Sequence, residues 1–119
     1  MAKQPVIQPV THRYGRCMSY DDFKELKKTG ILTDDGGPMV PVFDAPDSVV
    51  ACLSSWDKTG RRNYFRRIGV RNPEVVAFFR VNVADLEGRL VGPVRQKNGL
   101  LEYKLPTGIH VEPRGYLSA

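Results

Sequence analysis

The sequence predicts an α+β domain built on a mostly antiparallel or mixed sheet. Helical patterns come early and strand patterns late, without the alternation of a doubly wound fold. Residues 74–84 alternate at period two, with Val75, Ala77, Phe79, Val81 and Val83 on one side. Asn98-Gly99 stands between two strand-like runs, a strong short-range hairpin signal.

Residues 1–10 hold Pro5 and Pro9 with few periodic apolar positions, so an extended lead-in is expected before one domain over 11–119. Residues 11–18 read as the first strand. Ser19 is a good helix N-cap, and Asp22 three residues later completes a variant capping box. Phe23 and Leu26 share the inner side of this helix, Lys27 and Lys28 suit its C-terminal dipole, and Gly30 fits the position just past its end. Asp34-Asp35-Gly36-Gly37-Pro38 is loop chemistry. Val40 and Val42-Phe43 then form a short strand.

Asp44-Ala45-Pro46-Asp47 opens a second helix, with proline tolerated in its first turn. Val49, Val50, Leu53 and Trp56 mark its apolar face, and Gly60 is expected beyond its end. Asn72-Pro73 breaks the chain before the period-two strand, on which Arg80 and Asn82 take the opposite face, made partly apolar by Val76 and Phe78. Residues 89–94 and 100–105 read as the hairpin strands, and 109–112 as a possible last strand. No repeat or low-complexity segment interrupts the chain.

Composition bounds function. With 119 residues, 41% hydrophobic and 26% charged, the chain has material for one core. No apolar stretch approaches the roughly 18 residues of a membrane span, and Lys3-Gln4-Pro5 does not open a signal peptide, so neither an anchor nor a cleaved leader is expected. Cys17 and Cys52 sit among apolar residues and read as buried free thiols. His12 and His110 are too few for a zinc centre, and no metal is predicted. No G-x-G-x-x-G or Walker pattern is present, so any nucleotide is held another way.

The net charge of +5 is concentrated between residues 58 and 71, where Lys58, Arg61, Arg62, Arg66, Arg67 and Arg71 occur without an acid. Tyr64 and Phe65 are interleaved. Such a stretch suits a phosphate-rich partner, since each contact releases a counterion. A solvated helix face, a docking surface for an acidic partner and a wall of a nucleotide cleft compete with that reading.

Two distant segments carry the chemistry. Gly15-Arg16-Cys17-Met18-Ser19 leads into the first helix, and Leu101-Glu102-Tyr103 precedes Leu105-Pro106 and Gly108-Ile109. The stretch from Tyr14 to Leu32 resembles the opening of ADP-ribosyltransferase toxin domains at the tips of Rhs and related polymorphic bacterial toxins. Val42-Phe43-Asp44-Ala45-Pro46-Asp47 resembles their second strand–helix unit, and Leu101-Glu102-Tyr103 their glutamate-bearing strand. Each motif is short; their order and spacing over residues 12–112 make the resemblance.

The resemblance implies a split-sheet fold with two or three short helices and NAD as substrate. Arg16 would bind an NAD phosphate or its adjoining ribose, which suits a permanently charged fork of donors. His12 and Arg13 are alternatives for that role, and an ion pair of Arg16 with Asp21 or Asp22 is the structural one. Tyr14 would offer a stacking face, and Phe43 would stack on nicotinamide. Ser48 stands nearest to the place of a supporting hydroxyl. Glu102 would be the catalytic carboxylate, stabilising positive charge at the ribose carbon as nicotinamide leaves; pairing with Lys104 is its structural alternative. Leu100 departs from the family pattern, in which a Glu or Gln two residues before the catalytic glutamate orients an attacking side chain. That weakens modification of protein arginine and leaves RNA, bound through Arg61, Arg62, Arg66 and Arg67, or a translation protein as acceptor.

The resemblance also implies a larger carrier toxin for secretion, action in the cytoplasm of a target cell, and a cognate immunity protein. Two other functions compete. One is a metal-independent ribonuclease toxin using His12, Glu102, Lys104 and His110. The other is a non-catalytic RNA-binding module over residues 58–71.

Overall fold

A computed structural model describes residues 11–33, 36–96 and 99–119. The lead-in over 1–10, Asp34-Asp35 and Asn98 of the hairpin turn lie outside the described residues. The chain runs β1 (Thr11–Met18), α1 (Tyr20–Thr29), β2 (Ile31–Leu32), β3 (Met39–Asp44), α2 (Asp47–Ser55), α3 (Lys58–Arg67), β4 (Val75–Asn82), β5 (Val91–Arg95), β6 (Leu101–Pro106), β7 (Ile109–His110) and β8 (Glu112–Ser118). A short 3₁₀ turn over Val83–Leu86 follows β4. The α+β expectation holds.

Six strands form one antiparallel sheet in the order β5-β6-β3-β1-β4-β8, while β2 and β7 make a separate two-stranded ribbon. β4 is apolar on both faces because the sheet is covered on both. Val75, Ala77, Phe79 and Val81 pack with Tyr14, Phe23 and Leu26, so α1 closes that face. Val76 and Phe78 pack with Leu53 and Phe65 beneath α2 and α3.

The first helix follows its end signals. Ser19 Oγ accepts from the Asp22 backbone N–H at 3.0 Å, and Gly30, at φ 67°, donates to the Leu26 carbonyl at 2.7 Å. α2 begins after Pro46, which serves as its N-cap.

Several expectations change downstream. Trp56 lies past the end of α2 and remains 36% exposed. Gly60 does not follow a helix end; it sits in the first turn of α3. The Asp57 carboxylate caps that helix by accepting from the Gly60 N–H at 2.6 Å. A Cβ there would stand 3.0 Å from the carboxylate oxygen, so glycine admits a close cap. The expected last strand over 109–112 resolves into β7 and the longer β8, separated at Val111. Pro113 and Gly115 disguise β8, which tolerates them because it lies at the sheet edge.

One feature of the sheet positions the site. β1 pairs with β4 along its whole length, from Thr11↔Asn82 to Met18↔Val75. With β3 it pairs only at Tyr14↔Asp44 and Gly15↔Phe43. Beyond Gly15 the sheet opens, leaving β5-β6-β3 and β1-β4-β8 as two halves. Pro41 lies in the opened part of β3 and brings no N–H to either neighbouring strand.

Candidate active site

The opening is filled by side chains rather than ladder bonds. Gly15, Phe43 and Glu102 stand in one row across β1, β3 and β6. At two strand spacings, the Cα atoms of Gly15 and Glu102 are roughly 10 Å apart. Side-chain alternation sends Phe43 and Glu102 toward α3 and Arg16 toward α1. Because the sheet is open here, both faces reach the same crevice. A cavity of about 460 Å³ is lined by Arg16, Phe43, Phe65, Gln96, Leu100 and Glu102, among others. A second hollow of about 310 Å³, under α1, shares Arg16 and Cys17 with the first. Arg16 therefore stands between two adjoining chambers.

Each polar group is held. Arg16 Nη1 donates to the Pro41 carbonyl at 2.6 Å across the split, which fixes the guanidinium in the seam. It does not take the ion pair with Asp21 or Asp22; Asp21 faces Lys24 at 3.6 Å. Glu102 Oε2 accepts a hydrogen bond from Gln96 Nε2, so its carboxylate is oriented from its own hairpin and not by Lys104. Gln96 escaped the sequence reading. Its backbone N–H also donates to the Leu100 carbonyl at 2.8 Å, so closing the hairpin is what brings it beside Glu102.

Phe43 lies over Gly15, and its ring centroid is 6.3 Å from that of Phe65. It remains partly exposed to the cavity. Cys17 also lines the crevice, but burial pushes its thiol up to about 12 despite the neighbouring Arg16 charge, so it is a neutral wall at physiological pH. Cys52, expected buried, is exposed on α2.

Other expected site residues lie elsewhere. Tyr14 is a core residue, 1% exposed, packed edge-on to Tyr103 at 5.5 Å. Burial, with Tyr103 and Asp44 nearby, raises its phenol to about 12, and no face remains for stacking on a ligand. His12 stands four residues before Arg16, roughly 13 Å along the strand. Its Nε2 lies 2.6 Å from Asp44 Oδ1, outside the crevice. Arg13 pairs with Asp47 at 2.5 Å. Among the three cations considered for NAD, only Arg16 lines the crevice with Glu102. Ser48 is exposed on α2 and does not line it.

The basic segment divides in two. Arg61 is 9% exposed: Nε donates to the Ser118 carbonyl at 2.6 Å, and Nη1 donates to the carbonyls of Leu53 and Trp56. It ties α3 to the end of α2 and to β8 and is unavailable to a substrate. Arg62 is partly buried and donates to the Ala119 carbonyl at 3.3 Å. Arg66, Arg67 and Arg71 are exposed.

The quartet for ribonuclease chemistry is not assembled. His110 is exposed on β7, and neither histidine lines the cavity that holds Glu102. Among the described residues no cluster of three or more His, Cys, Asp or Glu side chains is placed to hold a metal ion. Among the described residues no helix is long and apolar enough to cross a membrane. Comparison with protein-family models, curated proteins and solved structures yields no match for this chain.

Proposed function

We propose that the crevice binds NAD and that the domain transfers ADP-ribose from it to a cellular macromolecule, blocking growth of the cell it enters. The observation that carries this reading is the convergence of Arg16 and Glu102, from the two halves of a split sheet, on one cavity. The two chambers have the size of ordinary ligand sites. A dinucleotide has matching parts: two nucleosides joined by a diphosphate. Arg16, between the chambers, is the group to grip the diphosphate, and each nucleoside would take one side.

Phe43, backed by the buried Phe65 ring, would supply the apolar face against which nicotinamide stacks. Glu102, oriented by Gln96, would lie beside the ribose and stabilise positive charge at its anomeric carbon as the bond to nicotinamide breaks. Preorganisation matters most here. A carboxylate already held by a neighbouring amide does not have to reorient when charge develops, and one such group is typically worth ~3–4 kcal/mol.

On this reading the domain is the toxic tip of a larger secreted carrier, working in the target cytoplasm. The producing cell would need an immunity protein that blocks the crevice or the acceptor surface.

Nicotinamide release from NAD by the purified chain tests the reading, with Glu102→Gln and Arg16→Ala as the variants. The expected result is release by the parent chain, lost at least about a hundredfold in Glu102→Gln with the fold intact by circular dichroism. Arg16→Ala should weaken NAD binding. RNA shortened without NAD, or release indifferent to both substitutions, would overturn the proposal.

A further inference from the structure

We infer that the acceptor is RNA, seated with its phosphates in the notch formed by Arg66, Gly69, Val70, Arg71 and Asn72, a step that rests on the transferase reading. Position is the first argument. The notch follows α3, and its residues Gly69 and Val70 also wall the crevice, so one ridge of backbone separates an exposed cationic groove from the carboxylate. Gly69 takes φ 96°, and a Cβ there would meet nothing within 4 Å. The ridge is bare, and a strand can approach its backbone closely.

Charge is the second argument. Arg66 and Arg71 are exposed, and neither guanidinium makes an ion pair or hydrogen bond among the described residues. Of the other guanidiniums nearby, Arg13 is engaged by Asp47 and Arg61 and Arg62 by carbonyls, whereas Arg67 is exposed at the end of α3. No acid lies between Lys58 and Asn72 to neutralise the groove. Unpaired guanidiniums flanking an open notch match phosphate oxygens.

The crevice itself gives the third. Among the described residues its lining contains one carboxylate, Glu102, already engaged by Gln96, and the apolar Leu100 lines it as well. A cationic acceptor side chain would find no second carboxylate to hold it. A ribose 2′-hydroxyl needs none, and it stands beside every phosphate of RNA but not of DNA. In the step, the 2′-oxygen bonds to the anomeric carbon of the nicotinamide ribose and the carbon–nitrogen bond breaks. Its electron pair leaves with neutral nicotinamide, and the hydroxyl proton goes to solvent.

The test uses the full chain, NAD, a synthetic RNA and a DNA of the same sequence, read by intact mass. The double variant Arg66→Ala/Arg71→Ala is compared with the parent. RNA should gain ADP-ribose and DNA should not. The double variant should lose at least tenfold in labelling and about two phosphate contacts from the salt dependence of RNA binding. Its acceptor-independent nicotinamide release should stay within twofold of the parent. Unchanged RNA labelling and affinity in the double variant defeats the docking surface, as does equal labelling of DNA or label carried only on protein. No nicotinamide release from the parent chain defeats the transferase reading, and the acceptor assignment with it.

Discussion

The Phe43 ring lies directly over Gly15: a Cβ built on Gly15 would sit 2.4 Å from its nearest carbon. This contact marks the last rung between β1 and β3, and the opening of the sheet begins one residue later. Glycine lets an aromatic ring cross the neighbouring strand at a height that any side chain would deny.

Gly15→Ala should therefore destabilise the domain by about 1–3 kcal/mol through overpacking. The added methyl must push the ring off β1 or spread the strands. Gly15→Ala/Phe43→Leu should recover part of the loss, since the shorter side chain makes room. Urea unfolding of the two variants against the parent checks this; equal stability of Gly15→Ala would show that the ring is not packed there.

Arg61 and Arg66 sit on one helix and should behave oppositely. Arg61→Ala strands carbonyls of Leu53, Trp56 and Ser118 that now accept from it, and a loss of roughly 2–3 kcal/mol is expected. Arg66→Ala changes an exposed position and should fall within about 0.5 kcal/mol. Chemical denaturation separates them, and a loss of stability confined to Arg66→Ala would reverse the division between structural and exposed arginines.

On the proposed transferase reading, Gln96 would act through Glu102 as a positioning residue. Gln96→Ala should lower kcat for nicotinamide release about tenfold and leave KM for NAD nearly unchanged, because it frees the carboxylate without touching Arg16. Gln96→Glu should be worse, placing a second negative charge against Glu102, while Gln96→Asn should recover little because its amide is one methylene short. A rise in KM alone would instead make Gln96 a binding group.

Alkaline pH should loosen the fold. Cys17 and Tyr14 both have acidities shifted upward by burial, to about 12 from 9.0 and 10.0. Their native forms hold protons that the unfolded chain releases, so this contribution to stability is intact below about pH 9 and declines as the pH rises toward 12. The urea midpoint should fall between pH 9 and 11, less steeply in Cys17→Val. At pH 8 iodoacetamide should label exposed Cys52 well before Cys17.

Local signals made much of this architecture readable. The bounds of β1, both caps of α1 and the two-sided pattern of β4 depend on residues within a few positions of each other. α3 was obscured because Gly60 resembles a helix terminator and its buried side is marked only by Arg61 and Phe65. Nothing near Arg61 announces that its acceptors come from α2, the residue after it and β8. Tyr14 likewise reads as an aromatic next to a candidate site, and only the sheet order reveals that α1 covers it. The meeting of Arg16 with Glu102 depends on β3 lying between their strands and on the sheet parting there, neither of which is local. Gln96 had a faint trace in the hairpin signal, which folds the residues before the turn back onto the strand that carries Glu102.

The Gly69–Val70 ridge separates two surfaces with different owners. The chamber behind it is walled mainly by sheet residues locked in register, whereas the notch in front belongs to a helix end and the loop that follows. Substitutions in the outer groove, exchanging arginines for other side chains, can therefore redraw it while the inner chamber keeps its shape. On the proposed transferase reading, target choice would be a tunable part, and a protective protein that plugs only the outer groove would be escaped by a handful of substitutions.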